Sequence, residues 1–255
     1  MAKNDLGLIK TKNLNLALGA IYFLQAVAVL IWAKATTVPV FSGHAAYDEL
    51  SGGLGPAVRH LFDVRLSYLV VLLLLVSAVF HLLQATFRRK THEAALKKKI
   101  SRGRWLHFGI SATLMVWVLA LLSGINELSL LLLIGGFVAT SKFFAYRMEI
   151  TFNKDKKPTW AILHLAVITA GLALLPLVMS KIGTIIFGQT SFGALLYWAY
   201  AAVFATFAGF LLVESKYYHK KAPFSDYGYI DRAYSLVYLF GQTALTWLIF
   251  AGSLR

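Results

Sequence analysis

Seven apolar stretches, each long enough as a helix to cross a lipid bilayer, constrain this chain more than any other feature. They cover residues 13–33, 62–87, 101–123, 127–149, 158–181, 191–216 and 226–253. Inside hydrocarbon every backbone N–H and C=O must be paired within the protein, and a helix of about 20 apolar residues does this while spanning the membrane. Composition agrees: 58% of the 255 residues are hydrophobic and 14% charged, with mean hydropathy +0.67, far beyond what a soluble core needs. The expected fold is an all-α membrane protein, one seven-transmembrane-helix bundle over residues 1–255. The first stretch is of full membrane length and shows no small-residue cleavage motif before Lys34, so it is read as a span rather than a cleaved signal. With no cysteine, disulfides and thiolate metal sites are excluded.

The formal charge of +14 raises nucleic acid as a partner, but its distribution argues otherwise. Of the 25 basic residues, 19 fall before the first stretch and in the connections 2–3, 4–5 and 6–7. Only Lys34, Arg59, Arg65, Lys181 and Arg255 lie on the opposite side. Lysine and arginine mark the cytoplasmic face, which predicts a cytoplasmic N-terminus and an external C-terminus in the cell membrane. The basic connection "RRKTHEAALKKKISRGR" is expected to meet anionic lipid headgroups, with an acidic cytoplasmic protein as the second candidate and no nucleic acid.

The long external connection after the first stretch, "KATTVPVFSGHAAYDELSGGLGPAVRH", has turn residues and a β-branched patch that suggest a small β-hairpin. The short connections "SGINELS" and "SKIGTIIFGQTS" predict that spans 3–4 and 5–6 are antiparallel neighbours.

Ionisable groups within spans are costly and draw attention as functional candidates. All eleven acidic residues fall in connections or near span ends, so none is expected at mid-membrane. That argues against a carboxylate proton relay, and no nucleophile, base and acid are grouped as an enzyme would need. The remaining polar set is Tyr22, Gln25, His81, Gln84, His107, Lys142, His164 and Gln242, each able to serve simply as an interhelical hydrogen-bonding group. Lys142 stands five residues before Arg147, and its stem is expected to carry the ammonium toward the headgroups. Breaks suited to a channel or transporter are confined to Gly135-Gly136 and Pro176.

The segments "RWLHFGISATLMVWVLALLSGI" in the third stretch, "MEI" closing the fourth, and "FSDYGYIDRAYSLVYLFGQTALTWLIFAGSLR" through the seventh resemble the heliorhodopsins. The resemblance covers essentially the whole chain. It implies a rhodopsin-like bundle of inverted orientation with a long first external loop, a retinal cofactor and a homodimer.

It also implies which residues would hold that cofactor. The family's retinal is bound through a seventh-helix lysine in a pattern like K-x-x-L-x-W; Trp247 matches the tryptophan, and five residues before it stands Gln242. The family's counterion is a glutamate that follows an Arg-Trp pair and one apolar residue; here Arg104-Trp105-Leu106 is followed by His107. An amide nitrogen is not nucleophilic, and a buried carboxylate without its cation is expensive, so the two departures fit each other. Tyr22 stands where the family has a first-helix histidine and Tyr238 where it has a serine, while His81 matches. Trp117, Trp160, Phe204, Tyr238 and Phe240 are candidate linings of a retained pocket. The resulting expectation is a heliorhodopsin-like receptor or scaffold without covalent chromophore. Non-covalent retinal or another apolar polyene, or relocation of the covalent link to Lys142, is the light-sensing alternative.

Overall fold

A computed structural model describes residues 3–49, 52–188 and 193–255. The elements in chain order are α1 (Lys3–Trp32), a hairpin of β1 (Thr37–Asp48) and β2 (Gly53–Arg65), α2 (Leu66–Ala85), α3 (Arg89–Lys98), α4 (Arg102–Leu122), α5 (Leu128–Asp155), α6 (Trp160–Ile186), α7 (Ala194–Tyr218) and α8 (Tyr227–Ile249), which ends in a π-helical turn (Phe250–Leu254). All but α3 are long and apolar enough to span a bilayer. Leu24, Ile31, Leu132, Ile168, Leu212 and Phe240 are each more than half exposed around the bundle, as hydrocarbon contact requires.

Several boundaries differ from the sequence reading for identifiable reasons. Residues 62–65 extend β2 instead of opening the second span, because strand pairing from Thr37↔Arg65 onward claims their backbone groups. The first helix begins ten residues early, at Lys3, while its span-length apolar part is Lys10–Trp32. The basic connection contains α3, an amphipathic helix that buries His92 and Leu96 and carries an Arg89–Glu93 pair at 2.7 Å, the i,i+4 spacing that stabilises exposed helices. The expected start of the sixth span at 191–192 lies outside the described residues; α7 begins at Ala194. α5 runs unbroken through Gly135-Gly136 and α6 through Pro176.

The hairpin is antiparallel, with Leu61 bulged out between the pairs Val40↔Phe62 and Phe41↔His60. Two strands alone are marginally stable, and docking supplies the remainder. Phe41 N–H donates to Asn126 O (2.9 Å) and Gly43 N–H to Glu127 Oε1 (3.4 Å), while Thr36 Oγ1 donates to Ser253 O (2.8 Å). Glu127 also caps α5 by accepting from Leu130 N–H at 2.7 Å, a contact that holds its carboxyl below the usual carboxylate range. The hairpin thus closes one end of the bundle, and the basic connections lie at the other.

α4 is the most buried span, flanked by α2 and α5. α7 and α8 approach closely because position 241 has no side chain: a Cβ there would overlap the Thr206 hydroxyl of α7. Gly241→Val is expected to cost about 1–3 kcal/mol through overpacking, read as a lowered thermal midpoint in detergent; an unchanged midpoint would contradict this approach. Spans 3–4 are antiparallel neighbours as expected. Spans 5–6 are so only at the hairpin end, where Tyr200 OH donates to Leu177 O at 3.1 Å. Toward the basic end α6 and α7 part around a crevice of about 280 Å³.

Candidate functional site

Five of the polar residues singled out in the sequence, Tyr22, Gln25, His81, His107 and Gln242, converge where α1, α2, α4 and α8 meet. Ser77 of α2 stands between the two positions that depart from the family pattern: its Oγ donates to Gln242 Oε1 at 2.8 Å and lies 3.1 Å from His107 Nε2. With the serine proton committed to the amide, His107 Nε2 is the donor to Ser77. Gln242 and Ser77 are fully buried and His107 nearly so.

A second strand of the cluster runs to α1. His81 Nδ1 donates to Asn15 Oδ1 at 2.7 Å, and the Tyr22 ring stacks on His81 with centroids 5.8 Å apart. The two histidine rings meet edge-on at 5.6 Å, and Phe80 stacks on His107 at 4.1 Å. Gln25 Nε2 donates to Thr243 Oγ1 at 3.1 Å, adding a link between α1 and α8. The helices place these groups together by simple spacing: Ser77 and His81 are one turn apart on α2, as Tyr238 and Gln242 are on α8. Tyr22 OH, Asn15 Nδ2, His81 Nε2, His107 Nδ1 and Gln242 Nε2 have no hydrogen-bond partner among the described residues. Buried groups of this kind bind internal water or a small polar ligand.

Beside the cluster the core is filled by aromatic rings. Tyr238 stacks on Phe108 at 4.3 Å, and both meet Phe210 edge-on at 4.8 Å. Its hydroxyl donates to Phe108 O at 3.0 Å. Gln242 lines neither the α6–α7 crevice nor the lateral groove over α4 between α2 and α5.

Several expectations need correction. Lys142 does not reach the headgroups: it is 7% exposed, with Nζ over the rings of Phe207 (4.7 Å) and Phe210 (4.5 Å), because α7 packs across its path. It shares the α6–α7 crevice with the buried carboxylate of Glu214, so an acidic neighbour is present after all. Of the five aromatic candidates only Tyr238 lies beside Gln242. Trp117 packs on Gly135 and donates to Leu131 O (2.7 Å) at a lateral groove, Trp160 lies beside His219, Phe204 lines the α6–α7 crevice and Phe240 is exposed. His164 is exposed and Gln84 lines the same groove as Trp117.

The sequence reading also missed a buried charge network at the basic end. Arg104, 1% exposed, pairs with Glu149, donates to Asp231 Oδ1 (2.9 Å) and to Tyr227 OH (3.0 Å), and lies among the rings of Trp105, Tyr227 and Tyr234. Glu149 further accepts from Tyr227 OH (2.7 Å), Trp105 Nε1 (2.8 Å) and Ser101 N–H (3.1 Å). His92 of α3 lies 3.4 Å from Asp231, tying that helix to the bundle. The available signal was the placement of Arg104, Glu149 and Asp231 at similar depth from the basic ends of three spans.

No curated protein matches the sequence. The family model described as Heliorhodopsin matches residues 11–254, a range that takes in all seven spanning helices, the hairpin and the cluster around Gln242. The chain belongs to the heliorhodopsin family, membrane proteins of the retinal-binding rhodopsin type.

Proposed function

We propose that this heliorhodopsin works without a covalently held retinal, as a non-photochemical receptor or scaffold in the cell membrane. The observation that carries the reading is the state of Gln242, whose side chain is buried and hydrogen-bonded into the Ser77–His107 chain. A primary amide has no nucleophilic nitrogen, and His107 brings no negative charge to replace a counterion. The packed rings of Phe108, Phe210 and Tyr238 occupy the adjoining core. The residues present therefore do not fit a retinal bound at position 242. The single cluster, continuous with the bundle, supports treating residues 1–255 as one unit.

The charge asymmetry supports a cytoplasmic N-terminus and an external C-terminus. In that orientation the basic end offers a docking face to anionic lipids or an acidic cytoplasmic protein, and the family supports a homodimer.

A light-sensing alternative has one observation in its favour. Lys142 carries an amine, has Glu214 in the same crevice, and that space of about 280 Å³ is close to the smallest ligand pockets, which start at about 300 Å³. One experiment separates the readings. The protein expressed with all-trans retinal and purified is expected to show no hydroxylamine-sensitive visible absorption. A visible band that hydroxylamine bleaches and Lys142→Ala abolishes would replace the first reading with the second; a hydroxylamine-resistant band would point to non-covalent retinal or a similar polyene.

A further inference from the structure

A cavity of about 1110 Å³ forms a lateral groove over α4 between α2 and α5, closed at the basic end by α3. Its floor follows one stripe of α4 through Gly103, Leu106, Gly109, Ile110, Thr113 and Trp117, the spacing of a single helix face. Glycines hollow it: a Cβ at Gly136 of α5 would meet nothing within 4 Å, so the missing side chain is open groove. From Arg102 to Trp117 the floor extends about 22 Å at 1.5 Å per residue.

The lining is polar at one end and apolar along its length. Arg88, Thr91, His92, Ser101 and Arg102 gather at the basic end, whereas the far end is made by Trp117, Leu132, Gly135 and Gly136. No carboxylate is among the described lining residues. Arg88 and Arg102 are exposed and in no ion pair among the described residues. A positive mouth at headgroup level above a long apolar trough matches a phosphate followed by an acyl chain.

We propose that this groove is a binding site for one anionic phospholipid, its phosphate held by Arg88 and Arg102 and one acyl chain lying along α4 as far as Trp117. The site gives residues to the lipid contact proposed above for the basic end, and it is independent of whether retinal binds in the core. Two arginines select an anionic over a zwitterionic headgroup by about fivefold each, while the glycine floor gives the chain a depth that a flat helix face does not. Lys142 borders the groove, but its ammonium is turned away toward Phe207 and Phe210 of α7 and adds no charge to the trough.

Fluorescence quenching of the full-length protein in phosphatidylcholine nanodiscs tests the site. Bromine-labelled phosphatidylglycerol or bromine-labelled phosphatidylcholine is added in rising fraction, and the emission that disappears in Trp117→Phe is followed. Phosphatidylglycerol is expected to quench Trp117 at a several-fold lower fraction. Arg88→Gln/Arg102→Gln should remove the preference, Lys97→Gln/Lys98→Gln on the exposed side of α3 should keep it, and Gly136→Phe should protect Trp117 from both lipids. Equal quenching by the two lipids in the wild type would overturn the proposal. So would a loss of preference as large for the Lys97/Lys98 pair as for the arginines, which would mean a diffuse basic surface. Absence of quenching by either lipid in a protein that light scattering finds dimeric would assign the groove to a second copy of the chain. The retinal spectrum is a separate readout, so failure here leaves the reading of the core standing.

Discussion

Arg104→Gln is expected to lower the stability of the bundle by about 3–5 kcal/mol, the usual cost of removing one partner from a buried ion pair. Arg104 serves two carboxylates at once, Glu149 and Asp231, on helices 45 and 127 residues away in the chain. Glutamine can replace some of the hydrogen bonds but none of the charge, so both carboxylates would stay buried without their cation. Lysine is no substitute: it lacks the planar fork that reaches Glu149, Asp231 and Tyr227 together, and it loses the stacking geometry among Trp105, Tyr227 and Tyr234. Thermal unfolding in detergent should register a fall on the order of 10 °C. Adding Glu149→Gln should recover part of it, because the pair is coupled. A midpoint for Arg104→Gln within about 2 °C of wild type would show that the network contributes little and that its burial is incidental.

That network also marks where sequence reading reached its limit. Hydropathy locates spans because hydrocarbon demands about 20 apolar residues in each, and the seven helices appear where the seven stretches lie. Arg104, Glu149 and Asp231 sit near span ends, however, where charges in a linear sequence look solvated. Their burial follows only from α4, α5 and α8 bringing them to one level, which no local pattern encodes. Ser77 went unnoticed for the same reason: a serine in an apolar span is unremarkable until Gln242 and His107 are seen on either side of it. α3 was hidden by its own charge, since eight of the residues between Arg88 and Arg104 are basic and only His92 and Leu96 reveal a buried face. The departures at Gln242 and His107, by contrast, were legible at once, because a motif fixes both positions relative to Trp247 and Trp105. The structure adds that the two altered residues are joined through one hydroxyl.

Restoring the family's chemistry at those two positions should not be enough to restore a pigment. Gln242→Lys/His107→Glu supplies the amine and the carboxylate, and the pair would face each other across the position of Ser77. What it does not supply is room. Tyr238 lies one turn from residue 242 on the same face of α8, its ring against Phe108 at 4.3 Å and against Phe210 at 4.8 Å, and its hydroxyl holds the Phe108 carbonyl. A rigid polyene anchored at 242 would have to displace these rings, and close-packed interiors yield little without loss of stability. The double variant incubated with all-trans retinal is therefore expected to show no hydroxylamine-sensitive visible band. The triple variant with Tyr238→Ser, which returns the small residue usual in the family, is expected to show one. Tyr238→Ser alone should lose stability by about 3–5 kcal/mol as a cavity-forming core truncation and gain no colour. If the double variant coloured fully, the aromatic packing would be irrelevant and the two polar replacements alone would separate this chain from its pigmented relatives. Colour confined to the triple variant would mean that the volume beside Gln242, as much as the missing amine, keeps retinal out.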